Sequence, residues 1–393
     1  MSLNYSERMD GIKASEIREL LKLTQKPEII SFAGGLPAPE LFPVDTVKEI
    51  SSEVLKDMGT SALQYGPTEG FEPLREKIAK RMDSVGVKAN AKDILVISGS
   101  QQGLDFTGKI FLNKDDIVVC ESPSYLGALN AFKAYQPKFI EVPTDEYGMN
   151  MDKLEDILAN NNKVKVIYVI PDFQNPSGRT WSLERRKKLV ELANKYNIPI
   201  AEDNPYGELR FEGEKLPAIK SFDTEGRVIF LGTFSKTFCP GLRLGWICAD
   251  DEVLNKYILI KQGADLQAST FSQIIVDRFL TKYDLDEHIE KIKKVYVKRR
   301  DLMFKTMEEE FPEGVTFTRP EGGLFTWVTL PEHINARDLA AEAIEKKVAF
   351  VPGGSFFPNG GNENTLRINY SNMDEERIVI GVKRIAESIK EMI

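Results

Sequence analysis

Between residues 94 and 248 the chain carries seven short, mostly apolar runs, each closed by turn residues and separated from the next by sequence of helical periodicity: 94–97, 117–120, 138–142, 166–170, 198–201, 228–231 and 244–248. Runs of this length without polar alternation make strands that are apolar on both faces, and such strands have to be covered on both. Helical crossovers supply the cover and favour parallel pairing. The expected fold class is therefore α/β, with a large domain whose seven-stranded, mostly parallel sheet lies between helices. In open sheets of this kind ligands sit beyond the carboxyl ends of the strands, so chemistry is sought there.

The flanking sequence reads differently. Residues 44–58 and 71–84 are helical in pattern, as are 252–262, 268–281 and a charged stretch from Asp286 to about Glu310. Beyond it, 315–318, 324–329, 349–351 and 366–369 read as strands, with helices at 335–346 and 373–391, which together form a smaller α+β domain. A short helix around Glu16 to Leu23 precedes a Gly/Pro segment at 31–43 whose proline density excludes regular helix. The boundaries expected are 46–280 for the large domain, and 1–45 with 281–393 for the small one. No Ser/Gly linker separates them, so they should share a crevice.

Three polar constellations follow the apolar runs. Ile97 leads into Ser98-Gly-Ser-Gln-Gln-Gly103 and then helix, an arrangement of free N–H groups that suits a phosphate. Ile170 leads into Asn175-Pro-Ser-Gly178, which alone is an ordinary turn, and Ala201 into Glu202-Asp203-Asn-Pro-Tyr206. Asp203, at the end of a buried strand, needs a cation or a hydrogen-bonded proton. Leu231 leads into Thr233-Phe-Ser235-Lys236 and Gly241-Leu-Arg243. A lysine flanked by Phe234 and Phe238 is poorly solvated, which lowers its pKa and frees its amine as a nucleophile. A nucleophilic lysine, an acid for a ring nitrogen, an amide and a phenol for a ring oxygen, and hydroxyls with an arginine for phosphate together describe a site for pyridoxal phosphate.

Composition removes competing readings. Fifty-two Lys and Arg stand against 60 Asp and Glu, a net charge of −8, so no global basic field draws the chain to nucleic acid. Two histidines, His288 and His333, cannot build a His-rich metal site, and no metal is expected. Three cysteines without a C-x-x-C pattern suit a reduced, cytoplasmic protein. No apolar run approaches the roughly 18 residues of a membrane span, and the N-terminus lacks the pattern of a secretory signal. Neither dinucleotide nor P-loop glycine fingerprints occur.

The ordered motifs, from Ala33-Gly-Gly-Leu-Pro37 through Leu63-Gln-Tyr-Gly-Pro67, Gly99-Ser-Gln-Gln-Gly103, Asn175-Pro-Ser-Gly178, Asp203-Asn-Pro-Tyr206, Ser235-Lys236 and Gly241-Leu-Arg243 to Leu366-Arg367, resemble the fold type I pyridoxal-phosphate enzymes. Within class I/II aminotransferases the chain is most similar to the 2-aminoadipate/kynurenine subgroup. The resemblance implies that Lys236 forms the Schiff base and moves the substrate proton, while Asp203 pairs with the pyridinium nitrogen. It implies that Asn175 and Tyr206 bond the ring oxygen, that Tyr125 stacks on the ring, and that Ser100, Gln101, Thr233, Ser235 and Arg243 hold the phosphate. Tyr65 would reach the cofactor of a second subunit, which requires a homodimer. Arg367, with Asn175 and Gly35, would bind the substrate α-carboxylate, and Arg18 would turn toward a distal carboxylate. Asn204 and the Thr-Phe-Cys-Pro240 segment depart from the subgroup pattern.

The activity implied is transfer of an amino group from an aromatic, 2-aminoadipate-like or branched-chain L-amino acid to a 2-oxo acid such as 2-oxoglutarate. A β-lyase or decarboxylase on the same fold is the alternative. An aminotransferase-like regulatory domain is a more distant one, because that type carries an N-terminal DNA-binding module and this chain starts almost at the enzyme core.

Overall fold

The computed structural model describes residues 3–9, 12 and 26–393. All seven expected strands form. In chain order the strands are β1 (Ile30–Ser31), β2 (Ile94–Ile97), β3 (Ile117–Ser122), β4 (Lys138–Asp145), β5 (Gly148–Met149), β6 (Val164–Val169), β7 (Ile200–Asp203), β8 (Val228–Thr233), β9 (Gly245–Cys248), β10 (Thr316–Phe317), β11 (Phe325–Thr329), β12 (Val348–Ala349), β13 (Val351–Pro352) and β14 (Thr365–Asn369). The large sheet runs β2-β9-β8-β7-β6-β3-β4-β5. Its centre, β8 to β4, is parallel; β9 is antiparallel to both neighbours, and β5 adds a two-residue hairpin edge that no apolar run announced.

The two-sided burial expected of the apolar runs is visible residue by residue. Val118, Cys120, Val166, Tyr168, Ala201 and Ile229 face one cluster, and Ile117, Val119, Ile167, Val169, Ile200 and Val228 face the other. Successive side chains of a strand alternate faces, so each strand contributes to both layers. The smaller four-stranded sheet, β10-β11-β14-β13, packs with helices Ala336–Glu345 and Glu375–Met392 around a separate core of Val328, Leu366, Ile368 and Ile385. The helix Leu285–Glu310 joins the two: Ile289, Ile292 and Tyr296 belong to the large core, Met303 and Met307 to the small one. The helical stretches expected at 44–58, 252–262, 268–281 and beyond Asp286 form as Val44–Ala62, Asp251–Ala264, Thr270–Lys282 and Leu285–Glu310. The helix expected around Glu16 to Leu23 lies outside the described residues. Among the described residues no helix is long and apolar enough to cross a membrane.

One glycine fixes how the segment carrying Tyr65 meets this body. Gly70 has φ +108°, and its N–H closes a turn onto the Pro67 carbonyl at 3.0 Å, while the Val96 N–H of β2 donates to the Glu69 carbonyl at 2.9 Å. A Cβ at position 70 would lie 2.7 Å from the Val96 Cβ. Gly70→Ala therefore combines a left-handed backbone with a collision against a strand. It should lower unfolding stability by about 2 kcal/mol or more, read as a lower urea midpoint at unchanged slope. An unchanged midpoint would show that the segment is not held by this contact.

Candidate active site

The carboxyl ends of β2, β3, β6, β7 and β8 open into one cavity of about 340 Å³. Gly35, Ser100, Gln101, Tyr125, Asn175, Asp203, Tyr206, Thr233, Ser235, Lys236, Arg243 and Arg367 all line it. A larger open groove of about 660 Å³ holds none of these groups; its Arg210 and Arg319 are already paired with Glu321 and Glu308.

One corner of the cavity is built for an anion. β2 ends at Ile97, and the helix Ser100–Phe111 starts behind Gly99, whose φ of +84° and missing side chain leave the first turn without a side-chain cap. A Cβ on Gly99 would run into the Arg243 guanidinium, 3.1 Å from Cζ. Arg243 makes only long bonds to the carbonyls of Pro240 (3.3 Å) and Ser98 (3.5 Å). The Gln101 amide donates to the Gly127 carbonyl at 2.8 Å. Thr233 is turned into the protein: its hydroxyl faces the Ser235 hydroxyl at 3.0 Å and the Leu244 carbonyl at 3.2 Å, and it accepts the Ser235 N–H. It holds Ser235 in place and leaves that hydroxyl to face the cavity wall.

At the opposite wall Asp203 is buried at the tip of β7. Its Oδ2 accepts from the Tyr168 hydroxyl at 3.0 Å, whereas Oδ1 is buried with no partner among the described residues. Burial pushes the carboxyl up to about 7, against the lowering pull of the Tyr168 bond. Tyr206 and Asn175 approach each other at 3.4 Å, and burial raises the Tyr206 phenol further from ionisation. The Tyr125 phenol is raised as well, by burial and then by Asp203.

Lys236 leaves β8 into the cavity and donates to the Gly35 carbonyl at 2.7 Å. Its pKa is lowered to about 8 by burial, then by the nearby charges of Arg367 and Arg243. The flanking Phe234 and Phe238 are buried as expected, but their rings pack on Trp246 and Phe279. The two arginines, more than the aromatic neighbours, add to desolvation in favouring the neutral amine. Arg367 projects from β14; its Nη1 donates to Asn175 Oδ1 at 2.8 Å and its Nη2 to the Ala33 carbonyl at 2.6 Å. The guanidinium lies 4.2 Å from the Phe325 ring centroid and 5.1 Å from that of Phe356. Its Nε is buried without a partner, and burial lowers its pKa to about 10.

One expected residue stands apart and another cannot be placed. Tyr65 is 78% exposed and lines a surface groove with Gln267 and Thr270. Arg18 lies outside the described residues. Sequence reasoning passed over Tyr168, Phe325 and Phe356. Tyr168 carried a signal, since a tyrosine inside an apolar strand has to find a partner for its hydroxyl. The aromatic seat of Arg367 carried none, because it is assembled from separate elements. Among the described residues no cluster of His, Cys, Asp and Glu could hold a metal. His288 packs edge-on against Phe238 and Phe279, outside the cavity lining.

A family model for aminotransferase class I and II matches residues 31–385. The chain is 50% identical over 392 residues to aromatic-amino-acid aminotransferase 1 of Thermococcus litoralis, covering 98% of this chain and 94% of that one. It is 44% identical over 382 residues to a 2-aminoadipate transaminase of Thermus thermophilus, covering 96% and 94%. A crystal structure of a Pyrococcus horikoshii kynurenine aminotransferase in complex with PMP is similar at a TM-score of 0.95 and 46% identity, covering 99% of this chain and 97% of that one.

The raised Asp203 carboxyl carries a pH signature. In the folded, cofactor-free chain it stays protonated up to about pH 7, whereas unfolded it ionises from its ordinary value of 3.8. The folded state then binds the extra proton between those values, so stability falls as pH rises through that window. Asp203→Asn removes this loss. It should stabilise the cofactor-free protein by on the order of 2–4 kcal/mol at pH 8 and by much less near pH 4, measured by denaturant unfolding. A gain independent of pH would refute the buried-carboxyl account.

Proposed function

Because the chain belongs to the class I and II aminotransferases, a pyridoxal-phosphate-dependent group, we propose that it works as a cytoplasmic homodimer moving amino groups from aromatic L-amino acids to 2-oxoglutarate through the residues of this cavity. The carrying observation is the meeting, in one cavity, of a lysine with lowered pKa, a buried carboxylate with one orphaned oxygen and a buried arginine on an aromatic seat. The donor set fits the cofactor. The orphaned Asp203 Oδ1 matches a protonated ring nitrogen, and the uncapped turn at Gly99 with Ser100, Gln101, Ser235 and Arg243 matches a phosphate. Bound there, pyridoxal phosphate supplies the carbon that takes the donor's amino group and a conjugated ring that accepts the electron pair left by the α-proton.

The chain's own residues do the rest. Asp203, as the carboxylate, would keep a proton on the ring nitrogen, Asn175 and Tyr206 would hydrogen-bond the ring oxygen, and Tyr125 would pack against the ring. Arg367 takes the donor's α-carboxylate, for which its two bonded nitrogens already point toward Asn175 and the Gly34–Gly35 side of the cavity. The Lys236 amine would be the group that takes and returns the substrate's α-proton, a role that needs its neutral form. Burial and then the two arginines lower its pKa to about 8, which enlarges the neutral fraction near neutral pH relative to an ordinary lysine.

The donor class is supported by the rest of the cavity lining, where Leu36, Leu126, Gly127 and Asn130 add no charge. The names of the relatives point the same way, with 2-aminoadipate as the second reading from the Thermus thermophilus enzyme. Recognition of a distal carboxylate then falls to Arg18. Exposed Tyr65 supports the homodimer, since a side chain open in one subunit is available to the phosphate corner of another. The three unpaired cysteines accord with a reducing compartment. The separate sheets support a two-domain division near 46–280 against the terminal segments, with the first half of the helix Leu285–Glu310 packed on the large core.

Lys236→Ala should lower transamination between an aromatic donor and 2-oxoglutarate by roughly 10³-fold or more. Arg367→Ala should lower kcat/KM for the donor roughly a hundredfold, about 3 kcal/mol of charge-assisted bonding, with cofactor affinity little changed. With 2-oxoglutarate omitted, 2-oxo acid formation should stop after one equivalent per site. Continued turnover without acceptor would assign the chain to the lyases or decarboxylases instead.

A further inference from the structure

Behind the anion corner lies a side-chain cluster that the reaction does not use. Lys261, fully buried near the end of the helix Asp251–Ala264, donates to Gln102 Oε1 at 3.0 Å and to the two Asp265 oxygens at 2.8 and 3.0 Å. Gln102 engages its whole amide: Oε1 also accepts the Ser98 N–H at 2.9 Å, and Nε2 donates to Asp265 Oδ2 at 2.8 Å. The Ser98 hydroxyl donates to that same carboxylate oxygen at 2.9 Å. Three segments are thus tied together: the exit of β2, the first turn of the helix Ser100–Phe111, and the turn after Ala264. Ser100 and Gln101 line the cavity, whereas Gln102 does not.

The bonds act on the segment whose shape matters for an anion. Ser98 to Gln102 is a run of small and polar residues around a glycine at φ +84°, and ordering such backbone opposes binding when it has to happen on ligand arrival. The cluster is also electrically balanced. Burial by itself would raise the Asp265 carboxyl, yet the bonds from Lys261, Gln102 and Ser98 hold it below its usual range, so it carries its charge. Lys261 offsets that charge, which would otherwise repel a dianion one loop away.

We propose that Gln102, Lys261 and Asp265 are positioning residues for the cofactor phosphate, holding the Ser98–Gln102 loop in its anion-binding shape before the phosphate arrives. The inference rests on the reading of the cavity as the pyridoxal-phosphate site. It differs from plain structural support in one respect: loss of the cluster should fall on the phosphate and spare the ring.

The experiment strips the cofactor from the parent chain and from Gln102→Leu and Lys261→Met, with folding checked by near-UV circular dichroism. Binding of pyridoxal phosphate, of pyridoxal and of inorganic phosphate as competitor is then titrated. Each variant should lose about tenfold or more toward pyridoxal phosphate and inorganic phosphate, while pyridoxal binding stays within about threefold of the parent. Adding Asp265→Asn to Lys261→Met removes the uncompensated charge and should recover part of the loss, which damaged packing would not. Equal losses for both aldehydes, or unchanged phosphate binding, would overturn the positioning role. A parent chain that binds neither aldehyde would instead overturn the cofactor reading, so the two failures are separable.

Discussion

The placement of a buried carboxyl at the tip of a central parallel strand governs the site. Three carboxyls of the large sheet, Glu121, Glu202 and Asp203, are each pushed by burial to about 7. Their surroundings separate them. Glu121 accepts the Ile170 N–H and the Trp181 indole N–H on its two oxygens, and Glu202 accepts the N–H groups of Ile219 and Lys220 on its own. Both are satisfied and act as internal ties between loops. Asp203 alone of the three keeps an oxygen buried and unpartnered, an arrangement whose desolvation penalty persists until a donor from outside the chain meets it. A raised pKa by itself would have flagged all three; the hydrogen-bond inventory singles out one.

The parallel sheet was legible because its signal is redundant. Seven apolar runs with helical spacers admit few other folds, and the structure realises each of them to within a few residues. The hairpin edge at Gly148–Met149 was not legible, since two residues carry no periodicity. Site residues next to strand ends, such as Asp203, Lys236 and Ser100, could be placed from chain position alone. Those whose role depends on contacts between distant segments could not. Gln102 illustrates the limit: it stands beside Gln101 in the same motif, yet one amide lines the cavity and the other faces Lys261 and Asp265. Nothing local to Gln-Gln states which is which; that is decided by a helix some 160 residues later in the chain.

Thr233 shows the same limit from the other side. A hydroxyl two residues before Ser235 in a phosphate-like motif reads as a ligand, but the β8–β9 connection brings the Leu244 carbonyl within reach of it. Its hydroxyl is turned toward Ser235 and the Leu244 carbonyl. The scarcity of histidine is equally a statement about where proton transfer sits. Lys236 can serve without a histidine only if its pKa is brought down from the usual lysine value, and after burial the two cations that contribute, Arg367 and Arg243, line the same cavity.

The crevice between the two sheets is held by that same chemistry. Arg367 belongs to β14 of the small sheet, yet it donates to Asn175 at the end of β6 and to Ala33 of the N-terminal segment. A guanidinium so placed already ties three parts of the chain, and its contacts with the Phe325 and Phe356 rings add to that hold. Asn175 in turn approaches the Tyr206 hydroxyl at 3.4 Å, so the arginine, the asparagine and the phenol form one chain of contacts along the cavity. That placement is geometric rather than compositional: in a chain of net charge −8, two fixed arginines, Arg243 and Arg367, stand at one cavity.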